Sequence, residues 1–191
     1  MLYLSEDDRK KLLELARRAI VEAVTRRELP ENIPHNGILG QPHGAFVTLH
    51  KQGELRGCIG TTETNEALAD AVVRCAASAA LHDPRFPPVT ADEIGDLQIE
   101  ISVLSPLFQI QPEEIEIGRH GLVISDANHR GLLLPQVAVE HHLTREQFLE
   151  ETCRKSGLPR GAWKLPATHL HAFTCDIFAD HDWFSRAASE G

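Results

Sequence analysis

The sequence predicts an α+β fold in which one N-terminal amphipathic helix precedes two β-hairpin–helix–β units sharing a mixed sheet. Three observations carry this expectation. Apolar residues recur at helical spacing near the start of the chain. Later stretches alternate apolar and polar residues on either side of glycine-containing turns. The order strand, turn, strand, helix, strand then occurs twice, over residues 43–105 and 120–178, so the 191 residues read as one domain with an internal pseudo-repeat.

Ser5 opens the first helix, with an acid three residues on at Asp8, the pattern of a capping box. Leu12, Leu15, Ala16, Ala19, Ala23 and Val24 then lie on one stripe of a helix spanning residues 5–27. Pro30, Pro34 and the run HNGILGQPHG mark a loop. GAFVTLH and ELRGCIG form a hairpin around Lys51-Gln52-Gly53. Thr64 is placed to cap a second helix, whose Ala67, Leu68, Ala71, Val72, Cys75, Ala76, Ala79 and Ala80 make a small-residue face that lets a neighbour come close. The prolines of HDPRFPPVT end that helix by removing donors. LQIEISVL, residues 97–104, alternates as a half-buried strand does.

The second unit repeats the order. HGLVIS, a turn at DANHRG and LLLPQVAV form a second hairpin, and Thr144 with Gln147 makes a capping box for the next helix. Gly157 stands where a left-handed residue stops such a helix, and HLHAFTCDIF is the closing strand.

Composition narrows the function. Hydrophobic residues make up 42% and charged residues 25%, a soluble globular balance. The net charge is -9, and no block of Lys and Arg tracks a phosphate backbone, which argues against duplex nucleic acid as a partner. The N-terminal run MLYLSEDDRKKLLEL lacks the apolar centre of a secretory signal, and no stretch is long and apolar enough for a membrane helix. Four dispersed cysteines without a CxxC pair suit reduced thiols in the cytoplasm.

Arg56-Gly57-Cys58-Ile59-Gly60 is the leading candidate site. Gly57 and Gly60 let the backbone bend and a ligand approach the main chain. The Arg56 guanidinium can lower the pKa of Cys58, a candidate nucleophile, or hold a carboxylate or phosphate. The plainer alternative is a cysteine packed beside turn glycines. His82, Asp83 and Arg85 come second: His82 is a candidate catalytic group, and Pro84 fixes the directions of Asp83 and Arg85. Their alternative is a helix C-terminus with a surface ion pair. Gln136 stands where Cys58 stands in the first hairpin, and pseudo-symmetry would bring its amide to the same pocket. His169 and His171 share a strand face, but with no placed third ligand they assign no metal, and the cofactor is left open. Cys75, Cys153 and Cys175 read as core thiols. Parity adds a geometric expectation: Arg56 and Cys58 point to one face of their strand, Gly57 meets a helix on the other, and Asp83 and Arg85 lie near Cys58.

GAFVTLHKQGELRGCIG, DPRFPPVTADEIGDLQIEISVLSP, GLLLPQVA and FLEETCRKSGLPRGAW, in that order and spacing, resemble the AMMECR-domain family from the first helix to about Phe178. The resemblance implies a single strongly curved, barrel-like sheet built from a duplicated unit, with RGCIG as the signature segment and no generally accepted reaction. It also implies gene neighbourhoods that encode a Memo-like protein and a radical S-adenosylmethionine enzyme, which become the expected partners. The C-terminal ADHDWFSRAASEG departs from the family pattern and receives nothing from it. Two functions follow. One is an enzyme or binding protein for a small polar or anionic ligand, with a pocket lined by Arg56, Cys58, Asp83, Arg85 and Gln136. The other is a non-catalytic adaptor or regulatory protein that docks to those partners.

Overall fold

Helix α1 (Glu6–Arg26) begins where its capping box places it, with Ser5 accepting from the backbone of Asp8 and Asp8 answering to that of Ser5. The structure, a computed structural model, is α+β and describes residues 4–62 and 65–180. It divides into two compact units, the first holding the chain up to Leu104 and again from Asp176, the second holding Ser105–Cys175.

In the first unit, β1 (Ala45–Lys51) and β2 (Glu54–Thr61) form the expected hairpin. Gln52 and Gly53 both have positive φ, at 54° and 83°, the backbone of a two-residue turn whose twist matches that of the strands. Helix α2 (Leu68–Leu81) follows, and β3 (Leu97–Leu104) pairs with the far side of β1. The cap position of α2 is Ala67, with no side-chain cap; Thr64, expected there, lies outside the described residues. The order β2-β1-β3 explains why the registered pairings are antiparallel although a mixed sheet is expected. The crossover from β2 through α2 does return a strand parallel to β2, but β1 stands between the two. Leu12, Ala16, Ala19 and Ile20 of α1, Val72, Cys75 and Ala76 of α2, and Val47, Leu49, Ile99 and Ile101 of the strands make one core. Arg17 fastens α1 to this core's edge, donating to the carbonyl oxygens of Ile94 and Leu97 and to Asp180.

The second unit holds β4 (Phe108–Gln109), β5 (His120–Ser125), β6 (Arg130–Leu133), α3 (Pro135–Glu140), α4 (Arg145–Lys155) and most of β7 (His169–Ala179). Here β5 pairs antiparallel with β6 and with β7, and β4 with β7. LLLPQVAV differs from expectation: the strand stops at Leu133 and Pro135 opens a helix. Proline cannot donate to a ladder, whereas the first turn of a helix leaves its donors unpaired anyway. Thr144 and Gln147 do cap α4, and Gly157, at φ 76°, follows its end. Phe148, Leu149, Cys153, Leu122, Ile124 and Ala172 form the core of this unit.

Candidate functional site

Register and turn chemistry bring Cys58, Asp83 and Arg85 together. Cys58 lies opposite Thr48 in the hairpin, and Thr48 lies opposite Glu100 of β3, so the three form one row across the sheet face. The Thr48 hydroxyl donates to Cys58 Sγ at 3.3 Å. On the opposite face, Gly57 rests against α2: a Cβ there would sit 2.2 Å from the carbonyl oxygen of Ala79. The side chain missing at Gly57 is what lets α2 lie this close to β2.

The segment after α2 turns back along β2. Asp83 is buried, and its Oδ2 accepts the Cys58 backbone N–H at 2.8 Å. Its two oxygens also take Arg85 Nε at 2.9 Å, Arg85 Nη2 at 2.6 Å and the Arg85 backbone N–H at 3.1 Å. Arg85 Nη2 donates in addition to the carbonyl oxygen of Cys58 at 3.2 Å. Both outward backbone groups of Cys58 are thus held by side chains. The guanidinium hydrogen bonds, together with the two backbone donors, keep the Asp83 carboxyl well below the usual carboxylate range. The Arg85 side chain is 53% exposed, and its guanidinium lies 5.4 Å from the ring centre of Phe86.

Arg56 takes a different role from the one expected. Its Nε and Nη2 donate to Glu93 at 3.2 and 3.0 Å, its Nη1 donates to the carbonyl oxygen of Pro87 at 2.9 Å, and Lys51 reaches the same carboxylate at 3.0 Å. Every nitrogen of the Arg56 guanidinium is engaged inside the protein, so it ties the Pro87–Glu93 stretch to β2 instead of gripping a ligand. Glu93 is held well below the usual carboxylate range, chiefly by Arg56.

The glycines likewise serve packing. A Cβ at Gly60 would meet the Phe46 ring at 2.2 Å, as one at Gly57 meets α2. The Cys58 thiol is half-buried, and burial pushes its pKa up against the Thr48 hydrogen bond and the Arg85 charge, the reverse of what a resting nucleophile requires. His82 occupies the C-cap of α2, is exposed, and has no side-chain hydrogen bond among the described residues. Gln136 lies in the first turn of α3, in the other unit. No group of three or more His, Cys, Asp or Glu is placed to hold a metal ion among the described residues. A cleft of about 360 Å³ in the first unit is lined by Lys11, Glu14, Leu15, Arg18 and Pro34, none of them an expected site residue.

Sequence reasoning missed Thr48, Glu93 and Glu100. The two-residue turn at Gln52-Gly53 alone would put Thr48 across from Gly57; a register shift between Leu49 and His50 brings it opposite Cys58, so neither Thr48 nor Glu100 followed from the turn. Glu93 had the weak signal of a capping position three residues after Thr90, where its Oε2 also accepts the Thr90 backbone N–H.

A family model described as AMMECR1 matches residues 13–178, and so takes in both units and the whole Cys58 corner. The chain belongs to the AMMECR1 family. Its relatives in that family include a protein of Methanothermobacter thermautotrophicus, 42% identical over 185 residues and covering 92% of this chain and 95% of the relative. Protein PF1979 of Pyrococcus furiosus is 44% identical over 183 residues, covering 88% and 86%. The crystal structure of the uncharacterized protein PH0010 from Pyrococcus horikoshii is similar at a TM-score of 0.81 and 40% identity, covering 88% of this chain and 89% of that one. The AMMECR1 fold is therefore shown by a solved relative as well as by the chain's own pattern.

Proposed function

We propose that this AMMECR1 protein binds a small polar or anionic molecule at the Cys58–Arg85 corner of β2. One observation carries the reading: Arg85 is half-exposed and rigidly seated by a buried carboxylate, yet its Nη1 has no hydrogen bond among the described residues. A cation that is pre-positioned and only partly used offers a ligand a donor at little ordering cost. Cys58 and Thr48 beside it supply a thiol and a hydroxyl for orientation. The raised thiol pKa favours binding over covalent attack by a resting thiolate.

Two alkylating agents that differ in charge test this. Iodoacetate is an anion and iodoacetamide is neutral, so the ratio of their rates at a thiol reports local attraction for anions. At Cys58 that ratio should exceed the ratio at Cys175, the other half-buried thiol, by about fivefold, equivalent to ~1 kcal/mol for one charge-assisted contact near the surface. Arg85→Gln should bring the two ratios together. Equal ratios in the unsubstituted protein would remove the anion site.

Action beside a Memo-like protein and a radical S-adenosylmethionine enzyme belongs to the same proposal and is supported by family resemblance. Failure of the three to co-purify when co-expressed would count against it. The unbridged state of all four cysteines supports a cytoplasmic location.

A further inference from the structure

Arg85 does not offer a bare guanidinium. Of its five N–H groups, the one on Nε and one on Nη2 go to Asp83, and the other on Nη2 goes to the carbonyl oxygen of Cys58. What remains is the pair of hydrogens on Nη1. A phosphate or a fully gripped carboxylate is held by two parallel N–H groups from two different nitrogens. The Nε/Nη2 edge is closed by Asp83, and the Nη1/Nη2 edge has lost its second donor to Cys58.

Charge points the same way. The Asp83 carboxylate is 2% exposed and stands 2.6 Å from the guanidinium, so the pair carries no net charge. Glu100 follows Thr48 in the row that starts at Cys58, adding a carboxylate to the same sheet face. Arg56 and Lys51, the nearby cations of β1 and β2, are both bound to Glu93. A dianion brought to this corner would find a single guanidinium whose charge Asp83 already largely offsets.

Resting on the ligand-binding reading above, we infer that the group recognised at Arg85 Nη1 is a single sp2 oxygen carrying at most one negative charge, as in a carbonyl compound or a monocarboxylate, and that phosphate is rejected. The Asp83–Arg85 pair then acts as a selector. Asp83 removes both the charge and the second donor that a phosphate needs, and leaves a neutral-to-weakly cationic donor beside the Cys58 thiol.

Protection of Cys58 from iodoacetamide in the full chain tests the selectivity, with acetate, acetamide and inorganic phosphate as probes at neutral pH and matched ionic strength. Acetate or acetamide should slow Cys58 alkylation by about half at its Kd, which lies at roughly millimolar or weaker for so few atoms. Phosphate at the same concentration should leave the rate unchanged. In Arg85→Gln the protection should vanish, and in Asp83→Asn, which leaves the guanidinium charge unmatched and removes one of the two oxygens accepting from the Nε/Nη2 edge, phosphate should begin to protect. Protection of the unsubstituted protein by phosphate as strong as by acetate overturns the selectivity and leaves the anion site standing. No protection by any probe overturns the selectivity too, and if iodoacetate also shows no preference for Cys58 the site itself fails.

Discussion

Replacing Gly57 with alanine tests the contact on which the candidate site is built. The added Cβ would stand 2.2 Å from the Ala79 carbonyl oxygen and 3.1 Å from its carbon. Ordinary contact begins at 3.4 Å, so strand and helix must separate by about 1.2 Å. Both partners are main chain, and no rotamer change can absorb the overlap. Overpacking of this kind costs about 1–3 kcal/mol, and the absence of a flexible neighbour puts Gly57→Ala near ~3 kcal/mol. For a chain of this size that is a fall in Tm of roughly 6–12 °C. Because Asp83 follows α2 and grips the peptide of Cys58 on β2, the same separation should also loosen the 2.8 Å hydrogen bond at Cys58. Urea unfolding followed by circular dichroism measures the loss. Gly95→Ala is the matched control, since a Cβ at Gly95 meets nothing within 4 Å. If Gly57→Ala unfolds at the same urea concentration as Gly95→Ala, the close approach of α2 to β2 is wrong.

Other expectations follow from the electrostatics. Asp83 and Glu93 have ordinary values of 3.8 and 4.5 and are both held lower in the folded state, so the stability they contribute is present above those values and is lost as pH falls through the folded ones. Urea midpoints below pH 4.5 should therefore drop less steeply in Glu93→Gln than in the unsubstituted protein, and identical slopes would contradict the ion-pair account. His120 is buried, and its Nδ1 accepts the Glu116 backbone N–H at 3.1 Å, so the proton of the neutral ring sits on Nε2. Burial pushes its pKa below 6.5 although Glu116 opposes that, and stability should decline as pH falls from 6.5 through the folded value. An NMR titration placing His120 at or above 6.5 would refute this. Cys75, pushed up to about 11 by burial, and the buried Cys153 should react with a small disulfide reagent only on unfolding, while Cys58 and Cys175 react in the native protein. Labelling of Cys75 at the rate of Cys58, read by mass spectrometry, would show that the helix face is not closed.

The elements legible in the sequence are those whose signals are local. Ser5 with Asp8, the Gln52-Gly53 turn and Thr144 with Gln147 each act within a few residues, and each stands where its pattern puts it. Pro135 misled because apolar flanks suggest a strand while its missing donor suits a helix start equally well. Within the site, Gly57 and the nearness of Asp83 to Cys58 followed from parity and short connections. The role of Arg56 did not, because its partner Glu93 lies 37 residues away and nothing in RGCIG announces that the guanidinium is already occupied.

Strand β2 ends the order β2-β1-β3, and such a margin ordinarily leaves amide and carbonyl groups to which another chain can add. At Cys58 those two groups are taken by Asp83 and Arg85, whose carboxylate and guanidinium imitate the acceptor and donor of an adjoining strand. The segment that provides them contains Pro84, Pro87 and Pro88 and so cannot itself be recruited into a growing ladder. The sheet is closed at this point by something that resembles a strand chemically and cannot become one. Loss of the Asp83–Arg85 pair would therefore open a seam for self-association as well as alter what the corner binds.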